Sequence, residues 1–190
     1  MGFPEVAAKV APEIAPEVQP LAWLVGTWRG EGTIGYGPIS PGRITQEVEF
    51  KTADGPYLGY RARTWLSADQ SPTDQSPTEQ QPPTLWHEEA GFWRVAPGQD
   101  AAPWDLEVLI SDAAGYQSLY LGQVERTRVN LATDAVVRTV SAPEINAATR
   151  MYGLVDGDLL WAWDIAGFGH ELGSYTAARL EREENRHGSL

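Results

Sequence analysis

The sequence predicts an all-β chain closed into an antiparallel barrel, and three observations carry that reading. Short strand-like runs recur about ten to eleven times between turn residues, at the spacing of a sandwich or barrel. Eight Trp and seven Tyr in 190 residues suit a pleated, half-buried surface better than a helix. No helical pattern of ten or more residues alternates with the strands, so a parallel α/β sheet is not expected. Closure into a barrel removes edge strands, and eight or more strands can enclose a small ligand.

Taken in order, residues 1–20 repeat Ala, Pro, Glu and Val, and Pro4, Pro12, Pro16 and Pro20 interrupt any helix. They read as a flexible tail leading to a helical turn at Leu21–Leu24. Gly26-Thr27-Trp28-Arg29-Gly30-Glu31-Gly32 then reads as a strand with bare backbone positions. Glycine inside a strand marks close approach by another backbone or a ligand, and Trp28 between them is placed to seal one end of a barrel. Residues 36–42 are a loop by composition. Ile44, Gln46, Val48 and Phe50 alternate with Thr45, Glu47, Glu49 and Lys51, a period of two with one wet face. After an Asp54-Gly55 turn, Tyr57–Leu66 carries aromatics on both faces and Arg61 and Arg63 on one, consistent with lining a polar-tinged cavity.

Residues 67–84 are a low-complexity insertion in which Gln70-Ser71-Pro72-Thr73-Asp74 is followed by Gln75-Ser76-Pro77-Thr78-Glu79. Such composition buries too little surface to offset ordering entropy. Further strands are expected at 85–95, 104–110, 116–124, 126–131, 135–140, 147–155, 159–165 and 175–181. Asp156-Gly157 suits a two-residue hairpin. The barrel is thus expected over residues 21–182, with a polar tail at 183–190.

Composition narrows the function classes. A net charge of −12 argues against nucleic-acid or anionic-membrane partners. The absence of cysteine removes disulfides, thiolate catalysis and sulfur-ligated metals. The first twenty residues lack the apolar core of a signal peptide, and no apolar run reaches the roughly 18 residues of a membrane span. The expectation is a cytoplasmic protein, monomeric or homodimeric. His87, His170 and His187 have no close ligand spacing, so no metal site is assigned. There is no Gly-x-Ser-x-Gly elbow and no phosphate loop. Glu88 and Glu89 are strand neighbours on opposite faces and form no dyad. No catalytic residue is assigned.

The motifs carry a family resemblance. The Gly26–Gly32 segment, with Gly26, Trp28, Gly30 and Gly32 in place, is similar to the signature of the nitrobindin family. His87-Glu88-Glu89-Ala90-Gly91-Phe92-Trp93-Arg94 resembles the family's His-x-Glu-x-Gly-aromatic-x-Arg segment. Asp156-Gly157-Asp158-Leu159 and Ala177-Ala178-Arg179-Leu180 resemble its last hairpin and closing strand. The resemblance implies a ten-stranded up-and-down barrel of the calycin, fatty-acid-binding-protein-like type. It also implies haem b as cofactor, nitric oxide binding and conversion of peroxynitrite to nitrate.

This sequence departs where that chemistry is expected. By the resemblance, the haem-ligating histidine falls at Tyr175, a distal threonine in Tyr36-Gly37-Pro38-Ile39, and a lysine near the haem at Pro143. The expectation is therefore a small-ligand-binding barrel without a haem cofactor. Its ligand is a small apolar or anionic molecule such as a fatty acid, and Arg61, Arg63, Arg138 and Arg150 are candidate anchors. The alternative keeps haem, with Tyr175 as axial ligand, since tyrosinate serves in catalase-type sites. Peroxynitrite isomerase activity is expected only in that case. A third reading is a scaffold or partner-binding module acting through the acidic surface and the Gln-Ser-Pro-Thr insertion within residues 67–84.

Overall fold

The computed structural model describes residues 14–67 and 83–183. A 3₁₀ helix at Pro16–Leu24 leads into ten strands: β1 (Gly26–Tyr36), β2 (Ile39–Thr52), β3 (Leu58–Leu66), β4 (Thr84–Val95), β5 (Trp104–Asp112), β6 (Tyr116–Glu125), β7 (Arg128–Arg138), β8 (Ile145–Val155), β9 (Asp158–Gly167) and β10 (His170–Arg182). Each pairs antiparallel with the next, and β1 pairs with β10 to close the barrel. The up-and-down all-β barrel with a short N-terminal helical turn is what the strand periodicity predicts. Among the described residues no helix is long and apolar enough to cross a membrane.

The period-two pattern holds best in β9. Leu159, Trp161, Trp163 and Ile165 face the core, and Leu160, Ala162 and Asp164 face outward. Three sequence readings need correction. The runs at 126–131 and 135–140 are one strand, β7, with Asp134 stepping out of register opposite β6. The 36–42 loop is only a turn at Gly37-Pro38. β2 starts at Ile39, and Pro41 is tolerated because this stretch extends beyond the β2–β3 register, which begins at Ile44. The helical turn begins at Pro16, inside the expected tail, because Val18 as well as Leu21 and Leu24 is buried. Most of the insertion, residues 68–82, and the expected terminal segments 1–13 and 184–190 lie outside the described residues.

The glycine motif forms the closing seam. A Cβ on Gly30 would stand 2.0 Å from the Arg179 carbonyl oxygen, and one on Gly32 2.2 Å from that of Ala177. It is backbone, not a ligand, that approaches these positions. Trp28 is fully buried and donates from Nε1 to the Leu24 carbonyl at 2.7 Å. Arg182 lies over its ring at 4.1 Å and donates to the carbonyls of Trp23, at 2.9 Å, and Val25. Trp28 therefore seals one end of the barrel together with the 3₁₀ helix.

Candidate functional site

The barrel interior is polar at its waist. Arg150, only 2% exposed, reaches in from β8. Its guanidinium forms a two-pronged pair with Glu89 of β4, NH1 to Oε1 at 2.6 Å and NH2 to Oε2 at 2.7 Å. Nε donates to the Tyr120 hydroxyl at 3.1 Å, and the Tyr60 hydroxyl donates to Glu89 at 2.5 Å. The guanidinium carbon also sits 4.3 Å from the centre of the Trp163 ring. Burial alone would raise the Glu89 pKa, but the charge and hydrogen bonds of Arg150 win and hold it down at about 2. A buried charge is tolerated only when paired and hydrogen-bonded in this way.

Beside this pair, His87 Nε2 contacts the Asp112 carboxylate, and Glu89 Oε2 lies 3.8 Å away. Burial works against a charged ring, yet the Asp112 hydrogen bond and the two carboxylate charges raise the His87 pKa. Asp112 also accepts the Ala114 N–H at 2.7 Å. Ligand atoms of His87, Glu89 and Asp112 all fall within 4.8 Å of one another, a spacing compatible with a metal. Here each carboxylate already has a partner, Glu89 in Arg150 and Asp112 in His87, and Arg150 stands where a metal's charge would be repelled. The arrangement is a cluster of two carboxylates, one guanidinium and one imidazole.

Above the cluster is the mouth. Two β-bulges face each other there. Thr64 pairs with His87 and Trp65 with Leu85, which leaves Trp86 as the extra residue of β4. Ser174 pairs with Asp164 and Thr176 with Trp163, which leaves Tyr175 as the extra residue of β10. A bulge re-aims its side chain, and bulges recur at barrel rims beside active sites. The two extra residues meet: Trp86 Nε1 donates to the Tyr175 hydroxyl at 3.1 Å. Tyr175 packs edge-on against Trp163, ring centres 4.9 Å apart. Beneath them lies a cavity of about 10 Å³, bounded in part by Gln46, Thr64, His87, Trp163 and Tyr175. Trp161 Nε1 donates to Gln46 Oε1 at 2.6 Å, and Gln46 donates on to Thr64 at 2.9 Å. Trp163 Nε1 is buried and has no protein partner.

Of the four candidate arginines, Arg150 points inward. Arg61 and Arg63 lie outside, paired with Glu88 and Glu47, because Leu58, Tyr60, Ala62 and Thr64 take the inner face of β3. Arg138 is exposed and donates to Asn146 and the Pro143 carbonyl. The cavity-lining expectation for β3 thus fails for its arginines. Tyr36 ties the β1–β2 turn to the β9–β10 turn, its hydroxyl donating to the Glu171 carbonyl at 2.7 Å, and exposed His170 packs edge-on to it. Glu88 and Glu89 do take opposite faces, one half-buried on Arg61 and one buried on Arg150.

Sequence reasoning missed Glu89, Asp112, Gln46 and Trp86 as site residues. Gln46 and Asp112 carried a signal, each a lone polar residue among the apolar residues of its strand's buried parity, whereas Glu89 shares its parity with His87. Trp86 carried none, because its orientation depends on the bulge. A larger concavity, about 660 Å³, lies on the outer face of β8, β9, β10 and β1, along Met151, Leu160, Ala162 and Ala177. It is separate from the mouth.

Comparison with known proteins bears on this arrangement. The family described as "THAP4-like, heme-binding beta-barrel domain" matches residues 17–182. A protein of Beutenbergia cavernae named "Ferric nitrobindin-like protein" is 40% identical, spanning 86% of this chain and 92% of its own length. A "Peroxynitrite isomerase" of Kocuria rhizophila is 36% identical, over 87% of this chain and 90% of the relative. The crystal structure of Rv2717c from M. tuberculosis superposes with a TM-score of 0.73 at 26% identity, covering 90% of this chain and 99% of that one.

Proposed function

The chain belongs to the THAP4-like, haem-binding β-barrel domain family, and from that premise we propose a small-ligand-binding barrel that does not take haem in the family's manner. One observation carries the reading: the side chain at the expected iron-ligand position, Tyr175, is bonded to Trp86 over a cavity of about 10 Å³. Small-molecule and cofactor pockets run to about 300–1,000 Å³. The residues present therefore do not fit a haem.

The chemistry of Tyr175 points the same way. A tyrosinate ligand must ionise, usually beside a cation. Burial lifts the Tyr175 pKa, and although the Trp86 N–H lowers it, the charges of Asp112 and Glu89 raise it further. The Arg150 guanidinium and the His87 imidazole nearby are committed to those same carboxylates.

A ligand enters, on this reading, by parting Trp86 from Tyr175. The walls it meets are indole and phenol rings with the Gln46 amide and the Thr64 hydroxyl among them. Such walls suit a small apolar molecule with one or two hydrogen-bonding groups. A long fatty acid is less suited, since Arg150 is already paired and Arg61, Arg63 and Arg138 lie outside.

The test is a hemin titration followed by absorbance, on the wild type, Tyr175→His and Tyr175→Phe. The expected wild-type result is no saturable Soret shift. A saturable shift in the wild type that Tyr175→Phe abolishes would overturn the proposal. It would favour a tyrosinate haem protein acting on nitric oxide or peroxynitrite.

A further inference from the structure

We infer that Trp86 is the gate of a site for a small neutral hydrogen-bond acceptor, and that Trp163 Nε1 is the donor waiting inside it. The inference rests on the haem-free reading of the mouth and names the residue that closes it and the chemistry it admits.

The gate follows from exposure. Apart from Trp86 and part-buried His87, the residues around the cavity are buried, from Trp163 at 2% exposed to Tyr175 at 8%. Trp86, which lines the same cavity, is 43% exposed. It is thus the side chain that stands between cavity and solvent. Its position is not held by the ladder, because Trp86 is the unpaired residue of the β4 bulge. One side-chain hydrogen bond, to Tyr175, fixes its inner edge. A bond of that kind contributes about 1 kcal/mol net, so rotation of the indole away from the mouth is cheap. Moving Tyr175 instead would break its packing on Trp163 and expose a buried ring.

The chemistry follows from the orphan donor. A buried N–H without an acceptor costs free energy that any acceptor reaching it recovers. Trp163 lines the cavity and its Nε1 is such a group. At about 10 Å³ the closed cavity holds no more than a water-sized occupant. With Trp86 swung out, the space it vacates joins the cavity and admits a larger molecule. Charge selects among candidates. Glu89 and Asp112 lie just below, paired with Arg150 and His87. Among the described residues of the cluster no cation is left unpaired for an anion, so a carbonyl or ether oxygen is favoured over a carboxylate.

The test uses three ring compounds of similar size: cyclohexanone, cyclohexane and cyclohexanecarboxylate. Each is titrated into the ¹⁵N-labelled full chain while the indole N–H signals are followed by NMR, with Trp163→Phe identifying the Trp163 signal. Cyclohexanone is expected to move that signal downfield, and Trp86→Ala to bind it about tenfold more tightly than the wild type, a difference near 1.4 kcal/mol. Trp86→Phe, which keeps a ring but loses the N–H, should fall between them. Cyclohexane should leave the signal without a downfield shift, and cyclohexanecarboxylate should bind more weakly than the ketone. Equal ketone affinity in wild type and Trp86→Ala would overturn the gate. A carboxylate that binds as well as the ketone, or a ketone that moves other indole signals but not that of Trp163, would overturn the neutral-acceptor site. A cooperative melting transition in both Trp86 variants shows that they fold. Either failure, with the wild type still refusing hemin, leaves the haem-free reading standing, whereas a wild-type Soret shift removes that reading itself.

Discussion

The two ends of this barrel are closed by tryptophans in opposite ways. At the far end Trp28 is buried to 0% exposure, hydrogen-bonded to a main-chain carbonyl, stacked under Arg182 and covered by a helix whose Leu21 and Leu24 are fully buried. At the mouth Trp86 is half in water, sits on a bulge, and bonds one side-chain hydroxyl. The first closure is part of the core and cannot open without unfolding. The second costs about one hydrogen bond to undo. The same residue type closes both ends, and what distinguishes them is backbone registration, not the presence of an indole.

That contrast sets the ranking of the mutational effects. Trp28→Ala should be the most destabilising, about 3–5 kcal/mol by loss of a buried indole, read from urea unfolding. Arg150→Met, which strands Glu89 in the interior between the two ends, should cost a similar amount, about 3–5 kcal/mol. A mild effect there would mean that water reaches the waist and that the interior is more open than described. Trp86→Ala should cost about 1 kcal/mol. If it cost as much as Trp28→Ala, the two ends would be equally structural and the contrast would collapse.

pH sharpens the comparison further, because the charged cluster lies under the mouth. The His87 pKa is raised above its ordinary 6.5, so its contribution is present below 6.5 and is lost as pH rises through the higher folded value. The Glu89 pKa is lowered from 4.5 to about 2, so its contribution is present above 4.5 and is lost as pH falls towards 2. Melting curves recorded across both windows should fall off on both sides, and His87→Gln should remove the alkaline loss alone. A profile unchanged by His87→Gln would show that the imidazole is not charged in the fold. The smallest expected effect is Arg61→Ala, about 0–1 kcal/mol, since its pair with Glu88 is on the outer surface.

Much of the fold was legible because the inner face of a barrel strand has period two. β9 reads off directly. β7 did not, since the out-of-register step at Asp134 interrupts the alternation and divides one strand into two apparent ones. The candidate site was legible in part for the same reason. Tyr175 came from motif position and Arg150 from residue type, but Arg61, Arg63 and Arg138 were the same type on the wrong face. Parity alone placed Asp112 and Gln46 inside, had lone polar residues on apolar faces been given weight, whereas Glu89 shares its parity with His87. Trp86 lay beyond that reasoning, because a bulge reverses the parity of what precedes it and nothing in the local residues marks the bulge.

The glycine seam has a consequence for how the chain is made. Every other strand pairing joins neighbours in the chain, whereas Trp28 meets Arg182 across the whole barrel. During synthesis β1 is therefore among the first strands to emerge and the last to be fully paired. Until β10 leaves the ribosome, its outer edge is an open template for any other strand, the hazard that barrels otherwise abolish. Contacts this distant in sequence also form slowly. Gly30 and Gly32 offer no side chain to obstruct that late arrival, so the signature motif is where a nascent barrel waits longest for its closing strand.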